Sequence, residues 1–309
     1  PYVSVIVLNY NGLSFLGNLL DTCLCALLKT EYTNHEIIFV DNGSEDGSAD
    51  YVAKRYSTIN NLRVIRSDKN LGYTGGNNLG AYHSNNRSKY LVFLNNDIIV
   101  EPYWLKTLVK IMEEDQSIGL CQCLLVEKRG DKEVIVHIGA SNSAPKEIFT
   151  PEGAAFIIRR DLFKKLGGFR SDYFIFFDVT DLSWRAWISG YKAIFVKRSK
   201  LIHVPHSTLN KTKSDVLLYP YYRTRNLLIS CLTNYEFKTL LRFFPIHLID
   251  QVLIMLINIL NHILRRGDSL KRKMWGIALP RSLLYIICLL YTSDAADDGE
   301  SVDLGGRRI

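Results

Sequence analysis

No stretch of 18 residues in this chain is free of polar side chains, which argues against a clean membrane-spanning segment. The nearest approach, residues 243–264, carries His247, Asp250, Gln251 and His262. Cysteine is scarce and poorly spaced for metal. Two C-x-C pairs (Cys23/Cys25 and Cys121/Cys123) stand beside the isolated Cys231 and Cys288. A zinc site usually needs C-x2–4-C and a second cluster, so buried, reduced thiols of a cytosolic protein are the expectation. Glycine (20) and proline (8) are at ordinary usage, which excludes collagen-like and linker-dominated chains. No G-x-G-x-x-G follows the first strand, so a dinucleotide fingerprint is a poor match. No internal repeat and no signal-peptide pattern is present. The chain opens without methionine on residues that read as a strand, as if trimmed with little of the fold lost.

What is present is a globular balance, with 47% apolar and 22% charged residues in 309. The net charge of +7 hides an asymmetry. Residues 1–196 hold 21 Lys/Arg against 22 Asp/Glu, residues 197–281 hold 15 against 4, and residues 294–309 hold 2 against 5. A near-neutral body followed by a basic segment predicts a site on the body and a polyanion near the segment.

Strand-length apolar runs alternate with amphipathic segments over the first 120 residues. Strands are predicted at 3–8, 36–40, 62–65 and 90–94, and helices at 14–29, 48–56, 76–84 and 101–115. Pro102 sits where a helix start favours it. This rhythm predicts an α/β fold with a mostly parallel sheet, helices on both faces and ligands gathered where strands end. Beyond residue 120 shorter strands are expected, with helices at 161–166 and 181–189. Long helices are expected at 214–234 and 236–266. Residues 292–309 change composition abruptly and are excluded from the functional reading.

Polar residues follow each of the four strands: Asn9-Tyr10-Asn11-Gly12, then Asp41-Asn42-Gly43-Ser44, then Asn70 to Gly80, then Asn95-Asn96-Asp97. Any one could be a turn or a helix cap. Four on one sheet edge point to a nucleotide diphosphate. Asp41 can accept from a base N–H or a ribose hydroxyl. Gly72, Gly75 and Gly76 permit close backbone approach beside Asn77. Asp97 is a hard oxygen ligand suited to Mg2+ or Mn2+ on phosphates.

Together these residues resemble the family 2 glycosyltransferases of the GT-A fold, in the group that includes rhamnosyltransferases of surface-polysaccharide assembly. The resemblance runs over about residues 2–230 and continues through Gly167-Gly168-Phe169, Asp181-Leu182-Ser183-Trp184-Arg185, Ile202-His203 and Tyr222 to Asn226. It implies an inverting transfer of a sugar from a nucleoside-diphosphate donor to a glycan or lipid-linked acceptor. It implies donor contacts by Asn9, Asn11, Asp41, Asn42, the glycine segment and Asn95-Asn96-Asp97. It also implies a metal held by Asp97, Asn95 and His203. Asn95 replaces the first aspartate of D-x-D. The acceptor loop departs further: aligned on Asp181-Leu182, Asp178 takes the first acidic position and Val179 that of the general base. Valine cannot accept a proton. Asp178 and Asp181 remain as carboxylates, with Asp181 also readable as a structural group at a helix start. Trp184 reads as packing and Arg185 as an ion-pair partner.

The expected organisation is a catalytic domain at 1–206, a basic, apolar helical segment at 207–291 and an atypical tail at 292–309. Arg265, Arg266, Lys271, Arg272 and Lys273 beside apolar runs predict peripheral attachment to an anionic membrane at its cytoplasmic face. A solvated helical lid is the plainer alternative. No nucleic-acid motif accompanies the charge. Two rivals stand: a nucleotide-sugar-binding relative without transfer, and a sugar nucleotidyltransferase. The latter would need a basic glycine-rich loop after the first strand, which Asn9-Tyr10-Asn11-Gly12 lacks.

Overall fold

The computed structural model describes residues 1–129, 132–135, 145–204, 213–263 and 277–286. The tail at 292–309 and the basic residues 265–273 lie outside the described residues. Two compact units divide the chain, Pro1–Thr208 and Leu209–Ile309.

The first unit is one sheet with helices on both faces. Its strands are β1 (Tyr2–Asn9), β2 (His35–Asn42), β3 (Leu62–Ser67), β4 (Ser88–Asn95), β5 (Ile98–Val100) and β6 (Ile118–Arg129). The rest are β7 (Lys132–Ile135), β8 (Lys146–Ile148), β9 (Ala155–Arg159) and β10 (Lys192–His203). They run in the order β3-β2-β1-β4-β9-β6-β10-β5, with β7 beside β6 and β8 beside β10. The parallel expectation holds for β3-β2-β1-β4 and for β6-β10. It fails at β9, which lies antiparallel to both β4 and β6, and at β5, β7 and β8, each antiparallel to its partner. The result is a mixed sheet.

Residue alternation along the strands divides the core in two. Val3, Val5, Val7, Ile37, Phe39, Val92 and Leu94 face one side, where α2 (Asn18–Leu28), α3 (Ser48–Arg55) and α5 (Trp104–Glu114) contribute Leu24, Val52 and Trp104. Ile6, Ile38, Val40, Leu91 and Phe93 face the other, with Leu162 of α6 (Arg160–Lys165) and Leu182 of α7 (Asp178–Ile188). Each such side chain contributes about 1.5–3 kcal/mol on full burial.

Four helix starts differ from expectation, and one is α5, which begins at Trp104 rather than 101 and leaves Pro102 ahead of its cap residue Tyr103. The predicted helix 14–29 breaks into α1 (Gly12–Leu16) and α2 because Gly17 adopts φ 54°, ψ −127°. The glycine segment is helical: α4 spans Gly72–Tyr82 and starts four residues before the predicted boundary. Its glycines serve packing. A Cβ on Gly76 would lie 2.4 Å from Leu8 Cδ1, and one on Gly80 2.4 Å from Ile6 Cγ2. Helix α7 begins at Asp178, three residues before the predicted start.

In the second unit, α8 (Lys213–Asn234) and α9 (Phe237–Ile263) pack together, and a shorter helix covers Ile277–Ile286. The described cysteines (Cys23, Cys25, Cys121, Cys123 and Cys231) are free thiols, all buried except the half-buried Cys25. Burial pushes Cys23 and Cys123 up to about 12, which makes them poor nucleophiles.

Candidate functional site

Parallel pairing of β1 with β2 and β4 brings Asn9, Asp41 and Asn95 to one sheet edge, with Asn96 and Asp97 just beyond. Asn96 Nδ2 donates to Asn9 Oδ1 at 2.7 Å, and Asn9 Nδ2 donates to Asp41 Oδ1 at 3.0 Å. The close Asn9–Asn96 bridge requires Gly12, where a Cβ would lie 2.1 Å from Asn9 Oδ1. Asp41 is buried and also accepts from Ser44 Oγ at 2.6 Å and Ser44 N–H at 3.2 Å. Its Oδ1 is thus shared by two donors, while Oδ2 has lone-pair capacity left. Asn11, in the left-handed region at φ 51°, accepts from Glu45 N–H at 2.9 Å. These contacts fix the two loops against each other before any ligand arrives.

Asn42 does a different job. Its Nδ2 donates to Gly72 O at 3.0 Å and its Oδ1 accepts from Leu71 N–H at 3.0 Å. It therefore ties the β2 end to the start of α4. Asn77 is buried, donates to Tyr73 O at 3.0 Å and leaves its Oδ1 without a partner.

Asp97 is buried between β4 and β5. Antiparallel β5–β10 pairing sets it beside His203, with Oδ2 3.4 Å from Nε2, while Asp97 Oδ1 has no partner. A buried carboxylate oxygen without a donor is uncommon in a folded protein and marks a place for an external partner. Register with β6 puts Glu127 opposite His203, its Oε1 3.9 Å from Nδ1. Burial lowers the imidazole pKa, but the hydrogen bond and charge of Asp97, then Glu127 and Glu152, outweigh it and raise it overall. Asn95 donates its backbone N–H to Ala154 O at 2.9 Å. Among the described residues no three His, Cys, Asp or Glu side chains converge as a cation cage. Asp97 and His203 could therefore supply two ligands, and amide, phosphate or water oxygens the remainder, as suits Mg2+-like ions.

The segment Glu152-Gly153-Ala154 joins this centre to the loop before α7. Glu152 acts on His203, Gly153 O accepts from Tyr73 Oη at 2.6 Å, and Ala154 O holds the end of β4. Burial, then the charge of Asp178, raises the Tyr73 phenol well above its usual value, so Asp178 lies on the same side. Before α7 the chain is strained: Phe174, Phe176 and Phe177 have φ of 62°, 70° and 60°. Bulky residues rarely adopt such angles, and strain of this kind collects at functional sites. Thr74 N–H pins the loop by donating to Phe174 O at 3.2 Å.

That loop delivers Asp178, which is buried and accepts from Val179 N–H at 2.7 Å. Burial pushes its carboxyl up to about 6 against the pull of backbone N–H groups. Val179 itself is part of the apolar cluster with Phe169 and Leu182. Asp181 is fully buried and bound by Arg185, with Nε to Oδ2 at 2.8 Å. Arg185 also donates to Leu166 O at 2.5 Å and Gly168 O at 3.0 Å, so this pair holds the helix to the preceding turn. Trp184 packs edge-on against Phe149 at 5.8 Å.

The sequence reading missed Tyr73, Glu127, Gln122 and Glu152. Gln122 Oε1 accepts from Glu152 N–H at 3.0 Å, and its Nε2 is buried without a partner. The run of small residues after Glu152 is the one local sign of a tight approach there. Glu127 and Gln122 carry none, because their roles come from strand register.

Solved structures share this architecture. TarS of S. aureus aligns over 84% of this chain and 71% of its own, with TM-score 0.56 and 16% identity. GalNAc-T7 with UDP, GalNAc and Mn2+ aligns over 80% and 54%, at TM-score 0.57 and 18% identity. The mannosyltransferase PcManGT of Pyrobaculum calidifontis, with GDP-Man and Mn2+, aligns over 98% and 76%, at 0.56 and 17%. At these identities the likeness carries the GT-A fold alone. Among sequence relatives, an uncharacterized glycosyltransferase of Haemophilus influenzae is 28% identical over 131 residues, 41% of this chain and 39% of its own length. The O-antigen biosynthesis protein RfbC of Myxococcus xanthus is 26% identical over 226 residues, 66% of this chain and 17% of its own. The chain thus spans well under half the length of these relatives. Residues 4–178, more than half of the chain, match the family described as Glycosyl transferase family 2, and the chain belongs to that family of glycosyltransferases.

Proposed function

We propose that the protein is an inverting glycosyltransferase that moves a sugar from a nucleoside-diphosphate donor to an acceptor hydroxyl of a glycan or lipid-linked glycan. The carrying observation is the buried, unpartnered Asp97 Oδ1 at the meeting of four strand ends, linked through residues 152–154 to the side that holds Asp178.

In this reading Asp97 and His203, with Asn95 as a neutral oxygen ligand, hold Mg2+ or Mn2+. The ion, when bound, neutralises charge on the leaving diphosphate. Asp41 offers its remaining Oδ2 lone pair to a base N–H or a ribose hydroxyl. Asn9 and Asn96 keep that carboxylate oriented. Asp178 takes the proton from the acceptor hydroxyl. A carboxyl near 6 is largely ionised at pH 7 yet more basic than an ordinary aspartate, as a general base should be. Val179 is the one observation favouring a relative that binds donor without transferring sugar. A rhamnosyl donor and a role in surface-polysaccharide assembly belong to this proposal. RfbC is the supporting relative for the latter.

The test is calorimetry of UDP, dTDP and GDP with and without Mn2+, followed by transfer from a donor panel. Asp97→Ala should abolish the Mn2+ dependence of diphosphate binding while metal-free nucleoside binding persists. Equal Mn2+ dependence in both proteins would overturn the assignment.

A further inference from the structure

Among the described residues, helix α9 turns the polar side chains Gln251 and His247 inward beside half-buried apolar ones, and leaves an apolar stripe exposed. On its inner side Gln251 is buried and its Oε1 accepts from Thr224 Oγ1 of α8 at 3.0 Å, while His247 Nε2 lies 3.2 Å from Tyr235 Oη. On the outer side Leu241, Ile246, Ile249, Leu253, Leu256 and Leu260 are each more than half exposed. A helix in water places these faces the other way round. An exposed apolar stripe along a 27-residue helix exceeds what a monomer leaves uncovered without cause.

Charge identifies the occupant. Lys238 and Arg242 stand at the start of α9, and Arg265, Arg266, Lys271, Arg272 and Lys273 follow it in sequence. Basic residues bracketing an apolar face match an anionic surface with hydrocarbon beneath it. The segment Phe237–Leu260 is long and apolar enough to cross a bilayer. A crossing is nevertheless a poor fit. Thr224, bonded to the middle of α9, is flanked on α8 by Arg223 and Arg225, and Asp250 is exposed halfway along α9. Immersing the pair end to end would drag these charges into hydrocarbon. Lying in the interface avoids that cost.

We infer that the outer face of α9 seats the protein in the plane of an anionic lipid bilayer, as an interfacial anchor independent of the transfer chemistry. The full chain should bind phosphatidylcholine vesicles containing phosphatidylglycerol, bind pure phosphatidylcholine weakly, and release as salt rises. The double variant Ile249→Glu/Leu253→Glu should bind the anionic vesicles about tenfold or more weakly, with an unchanged circular dichroism spectrum. In case that variant misfolds, Leu256→Trp supplies a second readout. Its added emission should shift to the blue on anionic vesicles and be quenched by brominated lipid. Absence of that quenching overturns the proposal, as does vesicle binding unaffected by the two glutamates. A concentration-dependent dimer that the glutamates dissolve would also overturn it, since the face would then cover a second copy.

Discussion

In the first unit apolar side chains turn inward and polar ones collect at strand ends. In α9 the buried Gln251 bonds Thr224 of α8, while Ile246, Ile249, Leu253, Leu256 and Leu260 stay exposed. Both obey one rule, that each face takes the partner of its own polarity. The difference lies in what each unit expects outside itself. The sheet edge offers polar groups to a polar ligand, and the described part of α9 offers an apolar face to an apolar one.

Substituting a charge into each unit tests that contrast most sharply. Ile38 is fully buried in the sheet, so Ile38→Glu leaves a carboxylate without a partner and should cost more than about 4 kcal/mol. Leu253→Glu, on the outer face of α9, should change stability by less than about 0.5 kcal/mol. Urea unfolding followed by tryptophan emission and circular dichroism reads both. Similar losses would mean that α9 is covered.

Two aspartates three positions apart differ in the same manner. Asp178→Asn should slow transfer by about 10²–10⁴-fold, or roughly 3–5 kcal/mol of barrier, with donor affinity retained. It should also raise stability at neutral pH. The native carboxyl is raised to about 6 from 3.8, so between those values the folded state keeps a proton that the unfolded state releases. Stability from this group therefore falls as pH rises through that window, by about 3 kcal/mol in total, and the asparagine variant should escape most of it. Melting temperature against pH for both proteins is the measurement. Asp181→Asn breaks a buried pair with Arg185 and should instead lower stability by about 3–5 kcal/mol. If Asp178→Asn destabilised as Asp181→Asn does, Asp178 would be a structural group.

A smaller effect probes why α4 is glycine-rich. Gly80→Ala gains about 1 kcal/mol of helix propensity. Its Cβ would stand 2.4 Å from Ile6 Cγ2 and 2.9 Å from Val40 Cγ2, an overpacking that costs about 1–3 kcal/mol. A net loss of up to about 2 kcal/mol in urea unfolding is expected. A gain would mean the helix can retreat from the sheet.

Periodicity makes β1 to β4 legible in the sequence because each strand alternates between two cores. It misleads where glycine serves packing rather than turning. The glycines before residue 76 read as loop, yet the helix begins at Gly72, and Gly76 and Gly80 let it lie against Leu8 and Ile6. Gly17 produces the opposite error, since apolar spacing runs on across it and hides a break. The antiparallel β9 was not legible, because five buried residues carry no sign of strand direction. In the site, residues on strand ends were readable from clustering. Glu127 and Gln122 were not, because β6–β9–β10 register makes them neighbours of His203 and Glu152.

The place of β9 has a consequence for synthesis. It inserts between β4 and β6, although β6 is made first. Until residue 159 has left the ribosome, β4 and β6 each present an open edge, and Asn95 lacks the Ala154 carbonyl that fixes it. Open edges of apolar strands recruit other chains. A chain ending near residue 150 would thus carry all four strand-end clusters of the candidate site and still expose both edges, which β9 then closes together while the far edge of β6 waits for β10.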